Sequence, residues 1–250
     1  MKAKKIEQYP EGWITLQEHR VVSKKGNVIV EFNSLGPEFK LIEASKLSLD
    51  DEFMRYEPRT DGQRYFKNNL TSAIKSGVKD FYRPIYDPSI DENGNIVFVA
   101  GKMPAVWHSY DWWEKAAKEY MPERRSRLGT KNEYLAFLGV LIKKLIAIGW
   151  NVADAWYAVC DDSKMLGHYW NSENAKNDFE ETGSREVCGF FDLANTFKIL
   201  AWDKEVGGIW LASSSCFFSI SDVGPLANLV INFNQANVYD YSVGWYVLSK

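Results

Sequence analysis

The sequence predicts an α+β fold in which two core helices lie against small, twisted antiparallel sheets joined by long loops. Three observations carry that expectation. Two consecutive helical patterns, each with its own start signal, run between Ser109 and Gly149. Short β-patterned stretches flank them at 27–32, 96–99 and 228–234. An aromatic surplus of 10 Trp, 13 Tyr and 14 Phe suits a loop-rich fold, because flat rings fill the gaps between irregular segments.

Taken in order, residues 27–32 read as a strand after the Lys24-Lys25-Gly26 turn. Residues 68–76 read as a short helix that stops at Gly77, a favourable residue just past a helix end. Residues 87–95 are rich in turn formers, and the Asp and Asn spacing misses the calcium-loop pattern with its bidentate Glu, so the stretch reads as a solvated turn. A buried strand over 96–99 follows. Ser109 caps the next helix with Asp111 in its first turn, Trp112, Ala116 and Tyr120 recur at helical spacing, and Pro122 ends it. Thr130-Lys131-Asn132-Glu133 fits a capping box, in which the Thr hydroxyl accepts from the Glu amide and the carboxylate accepts from the Thr amide. Leu135, Leu138, Leu141, Ile142 and Leu145 then cover most of the helix circumference up to Gly149, which predicts a central helix.

The chain of 250 residues is long enough for a sizeable core, as one domain or as a domain with an N-terminal extension. Its net charge of −3 comes from intermixed Lys, Arg, Asp and Glu, without the basic footprint of a nucleic-acid binder. The cysteines Cys160, Cys188 and Cys216 stand far apart with no C-x-x-C spacing, so buried, reduced thiols are expected. The start has positive charge but no apolar segment behind it, and no stretch reaches the roughly 20 apolar residues of a bilayer span. The expected setting is the cytoplasm or an assembled particle, with no membrane insertion.

A motif order adds to this reading. Met103-Pro104-Ala105-Val106-Trp107, Ser109-Tyr110-Asp111-Trp112 and Arg127-Leu128-Gly129-Thr130-Lys131-Asn132-Glu133-Tyr134 come first. Gly189-Phe190-Phe191-Asp192-Leu193-Ala194-Asn195-Thr196, Trp202-Asp203, Gly207-Gly208-Ile209-Trp210 and Val243-Gly244-Trp245-Tyr246 follow. In that order they resemble the formylglycine-generating-enzyme-like (sulfatase-modifying-factor) branch of the C-type-lectin fold. The matching patterns there run P-V-x-x-V-S-W-x-D-A, R-L-P-T-E-x-E-W-E, G-L-Y-D-M-x-G-N-V-W-E-W, G-G-S-W and a final G-F-R strand. Gly129 stands where that family has proline. The resemblance implies a C-type-lectin-like domain over 103–250, with 1–102 as an N-terminal extension or subdomain.

The family's chemistry does not transfer with the pattern. Its two Cu(I)-binding cysteines fall on Ala212 and Phe217 here, and Cys216 is one residue out of place. A related branch holds iron with histidines, but His19, His108 and His168 form no i, i+4 pair. Ser213-Ser214-Ser215 lacks a nucleophile elbow, and Asp161-Asp162 and Glu180-Glu181 read as solvated pairs rather than a glycosidase dyad. The tripeptides and W-N-D strand of calcium-dependent sugar binding are missing too. No catalytic residue, metal or cofactor is expected, and enzymatic activity stays open.

A third relation concerns retroelement-diversified variable proteins of phages and bacteria. Ile209 to Ser214, then 227–234 and Asn237-Val238-Tyr239, are similar to their W-x-S-S and A-x-x-V-x-F-N-x-x-N-V arrangement. Tyr gives wide contact at low entropic cost, whereas Ser and Asn adapt their hydrogen bonds. Alternation sends Leu229, Ile231 and Phe233 to one face and Asn228, Val230, Asn232 and Asn234 to the other. The expected ligand-binding residues are Trp210, Ser213, Ser214, Phe217, Phe218, Asn232, Asn234, Asn237, Tyr239 and Tyr241, facing a protein or carbohydrate. Three functions remain open at this stage: non-catalytic ligand or receptor binding, a formylglycine-generating-enzyme-like oxidoreductase with altered residues, and a structural protein whose aromatics fill its interior.

Overall fold

A computed structural model describes residues 39–106, 108–161, 187–191, 193, 244 and 246–250 with their side chains. It describes the backbone of strands at 4–5, 13–15, 21–23, 28–30, 198–203, 208–213, 230–233 and 242–243. In chain order the strands are β1 (Lys4–Lys5), β2 (Trp13–Thr15), β3 (Val21–Ser23), β4 (Val28–Val30), β5 (Phe39–Ile42), β6 (Phe81–Pro84), β7 (Ser89–Ile90), β8 (Ile96–Val97) and β9 (Arg127–Leu128). They continue as β10 (Lys198–Asp203), β11 (Gly208–Ser213), β12 (Val230–Phe233), β13 (Ser242–Gly244) and β14 (Tyr246–Ser249). The described α-helices are α1 (Asp61–Lys75), α2 (Tyr110–Tyr120), α3 (Lys131–Ala147) and α4 (Val152–Cys160). The fold is therefore mixed α+β, with four helices and small sheets among the described residues.

Helix α3 forms where the capping box predicts. The Glu133 amide donates to Thr130 Oγ1 at 3.3 Å, and the Thr130 amide donates to Glu133 Oε2 at 2.8 Å. Only Lys143 and Ala147 of this helix are exposed, so its apolar circumference does run through the core. Helix α2 starts at Ser109, whose Oγ accepts from the Trp112 amide at 3.2 Å. Its sealed positions are Trp113 and Ala117, while Trp112, Ala116 and Tyr120 lie half-buried beside them.

Helix α1 begins seven residues earlier than the sequence pattern predicted, because Thr60 caps it and accepts from the Gln63 amide at 3.1 Å. Asp161, just after α4, takes 2.5 Å bonds from Thr60 Oγ1 and Gln63 Nε2, joining the end of α4 to the start of α1. The two helices meet closely: a Cβ on Gly62 would sit 3.1 Å from the Cys160 carbonyl oxygen.

Three four-stranded sheets have the orders β1-β2-β3-β4, β12-β11-β10-β13 and β5-β6-β14-β9, and β7 pairs β8. Pairing is antiparallel except between β10 and β13, which run parallel. The closing strand β14 lies between β6 and β9, with Leu248 opposite Tyr82 and Tyr246 opposite Leu128. Strands from before residue 102 thus share a sheet with the last strand of the chain. The 87–95 turn is closed by Asp91, whose carboxylate accepts from the amides of Asn93 at 2.9 Å and Asn95 at 2.8 Å.

Candidate functional site

The stretch singled out for recognition begins on two neighbouring strands. Trp210 and Ser213 lie on β11 and Asn232 lies on β12, an edge strand of its sheet among the described residues. Ser214, Phe217, Phe218, Asn234, Asn237, Tyr239 and Tyr241 lie outside the described residues, as does Cys216. Along β11, Trp210 pairs with Ala201 and Ser213 with Lys198. Between β11 and β12 the register is Ile209 with Phe233 and Leu211 with Val230, so two steps on β11 match three on β12. An irregularity of this kind interrupts the simple alternation expected over 228–234.

The opposite edge of that sheet is fastened to the core. Helix α3 packs against β10 and α2 packs against β13. At Gly244 the contact is intimate: a Cβ there would lie 2.7 Å from Trp113 Cε3 and 2.9 Å from Leu128 Cδ2. Only a residue without a side chain lets the strand come so near the indole. Two residues on, Tyr246 is sealed by Trp113, Phe98 and Tyr120, with ring centroids 6.0, 5.2 and 6.2 Å away. The closing stretch therefore changes sheets at Gly244, from β13 to β14, over the indole of Trp113.

Thiol chemistry has poor ground in the described residues. Cys160 and Cys188 are both buried, and Cys160 is a free thiol. Burial first, and then the Asp161 charge, push the Cys160 thiol well up, away from the reactive thiolate. Among the described residues no three His, Cys, Asp or Glu side chains group to hold a metal. His108 is stacked on Trp112 at 3.6 Å between ring centroids, and burial lowers its pKa, which favours the neutral ring.

Two concavities were not foreseen from sequence. One of about 450 Å³ lies between the 94–96 turn and α2, walled by Trp112, Ala116 and Tyr120 and rimmed by Lys115 and Glu119. The helical spacing of those three side chains was legible, but their opening onto a groove was not. The second, of about 530 Å³, gathers residues from four separate stretches of chain, so no local pattern announces it. No helix of the described residues is long and apolar enough to cross a membrane. Comparison with protein families, curated proteins and solved structures found no match to this chain.

Proposed function

We propose that this chain is a non-catalytic binding protein on a C-type-lectin-like scaffold, of phage or mobile-element type. It holds a protein or carbohydrate ligand through β11, β12 and the segments that follow them. The observation that carries this reading is the division of the C-terminal sheet. Its β10–β13 half packs on α3 and α2, whereas Trp210, Ser213 and Asn232 belong to the β11–β12 half, which ends in an edge strand. Adaptable polar residues beside large rings, borne on a sheet fastened at its other edge, give a recognition surface with rigid support.

The scaffold assignment has its own support. The Arg127-Leu128-Gly129-Thr130 stretch that resembles the family's R-L-P-T segment opens α3 through a capping box. Arg127 there pairs with Glu133 at 2.5 Å. Two helices capped by Ser109 and Thr130, followed by small antiparallel sheets, fit the fold that the motif order implies. Ala212, at the family's first cysteine position, is paired with Ile199 near the end of β11 and brings no metal-binding atom.

The experiment is a binding screen of the full chain on glycan arrays and purified bacterial surface proteins. The comparison protein is the triple variant Trp210→Ala, Asn232→Ala, Tyr239→Ala. The expected outcome is a saturable hit that the variant weakens by roughly tenfold or more at an unchanged melting temperature. A hit that the variant leaves intact, or no hit on either panel, overturns the proposal.

A further inference from the structure

At the end of the β5-β6-β14-β9 sheet, the concavity of about 530 Å³ is lined by four cationic side chains, Lys79, Arg125, Arg127 and Lys250. Only two carboxylates, Asp80 and Glu133, share that lining. Four cationic side chains against two carboxylates leave a positive balance in the lining. The chain as a whole is net negative, at −3, so this is a local reversal of sign.

Both carboxylates are engaged within the protein. Asp80 accepts from the Ser45 amide at 3.0 Å, Ser45 Oγ at 2.6 Å and Lys250 Nζ at 2.9 Å. Glu133 accepts from the Thr130 amide at 2.8 Å and from Arg127 Nη1 at 2.9 Å and Nη2 at 2.5 Å. Burial opposes the ionisation of Glu133, but the Arg127 bonds and charge outweigh it and hold the carboxyl below its ordinary range.

Arg127 is thereby fixed, with Nη1 also donating to the Leu128 carbonyl at 3.0 Å. Of the five guanidinium N–H groups, Nε–H and one on Nη2 are left over. The side chains of Lys79 and Arg125 are exposed and make no hydrogen bond or ion pair among the described residues, while the Arg125 amide donates to the Pro122 carbonyl at 3.0 Å. Arg125 is held at φ 50° by the turn that follows Pro122, a conformation that costs an L-residue something to adopt.

We propose that this concavity is a binding site for a small multivalent oxyanion, a phosphorylated or polycarboxylate molecule. Its size lies within the roughly 300–1,000 Å³ of small-molecule sites. Guanidinium and ammonium donors suit charge-assisted bonds to phosphate and carboxylate oxygens. An oxyanion also relieves the mutual repulsion of Lys79, Arg125 and the unspent part of Arg127. The site is separate from β11 and β12, and the inference stands whether or not those strands bind a ligand.

The test is titration calorimetry on the full chain with pyrophosphate and, separately, citrate, at about 20 mM salt, where screening is weak. The double variant Lys79→Gln, Arg125→Gln removes two exposed cations that hold nothing else in place. Arg55→Gln with Lys118→Gln is the charge-matched control elsewhere on the surface. The expected result is saturable binding of at least one probe, weakened by roughly tenfold or more in the first variant and unchanged in the control. Tighter binding of pyrophosphate marks a phosphoryl ligand, and tighter binding of citrate marks a carboxylate one. Absence of saturable binding by both probes overturns the proposal, as does an equal loss in the control.

Discussion

Trp156 and Trp113 are both sealed from solvent, but their surroundings treat their polar atoms differently. Trp156 packs against Phe66, Tyr56 and Phe53 at centroid distances of 5.2, 5.4 and 6.4 Å, and its indole N–H donates to the Phe53 carbonyl at 3.1 Å. Trp113 packs against Trp112 at 4.9 Å and Tyr246 at 6.0 Å. Neither Trp113 Nε1 nor the Tyr246 hydroxyl finds a hydrogen-bond partner among the described residues. A buried polar atom left unpaired costs about 1–3 kcal/mol. The Trp113 cluster bears that cost because the indole is used for its shape: its flat face seats the chain at Gly244, where the closing stretch crosses between sheets. One cluster ties helices together by packing and hydrogen bonding, and the other positions a strand by packing alone.

Replacing each indole by phenyl puts the most strain on this contrast. Trp156→Phe removes the indole bond to the Phe53 carbonyl, which keeps only the 3.3 Å bond from the Tyr56 amide, and also loses volume, a cost of about 2–4 kcal/mol. Trp113→Phe loses similar volume but sheds an unpaired N–H, so its cost should be smaller by about 1 kcal/mol. Urea unfolding of the two variants measures both, and the reverse order would break the comparison.

Next in size is Gly244→Ala, where the new methyl meets Trp113 and Leu128 inside contact distance. Overpacking of this kind costs about 1–3 kcal/mol. Pairing it with Trp113→Phe should be less than additive, since the smaller ring yields room.

A polar contact outside both clusters serves as reference. Glu133→Gln weakens the cap and the Arg127 pair by about 1 kcal/mol at neutral pH. Because the folded carboxyl is depressed, its contribution is full above the ordinary Glu range and drains away as pH falls through the folded value. Stability curves of wild type and Glu133→Gln should therefore converge on acidification. The smallest effect belongs to Tyr246→Phe, which removes a sealed, unpaired hydroxyl and should be neutral or stabilising by up to about 1 kcal/mol. A clear loss of stability would mean that the hydroxyl has a partner.

Much of the helical frame was legible because its signals are local. The Thr130 and Glu133 pair, the Ser109 cap and the stop at Gly77 each act within one turn of chain, and the structure bears out all three. The start of α1 was hidden because Gly62 interrupts an otherwise recognisable Thr60-x-x-Gln63 signature. Its reason, the close approach of the Cys160 carbonyl, comes from a residue 98 positions away along the sequence. Helix α4 was missed although Asn151 caps it and accepts from the Asp154 amide at 2.8 Å, because its 9 residues give little periodicity to read. The irregular register of β12 depends on β11, and the cation cleft depends on four stretches meeting, so neither is a property of any one window of sequence. The motif order at the chain's end did single out Gly244, but the indole that makes a glycine necessary there lies on α2.

The central claim is that the end of the chain divides its labour, with β13–β14 fixed to the core by packing and β11–β12 left for contact with a ligand. Thermal unfolding of Trp210→Ala with Asn232→Ala, run beside Gly244→Ala, tests it most directly. The account predicts that the double variant melts within about 2 °C of wild type, whereas Gly244→Ala falls by several degrees, at roughly 2–4 °C per kcal/mol for a chain of this size. A double variant that melts as low as Gly244→Ala would contradict the claim, because Trp210 and Asn232 would then belong to the core.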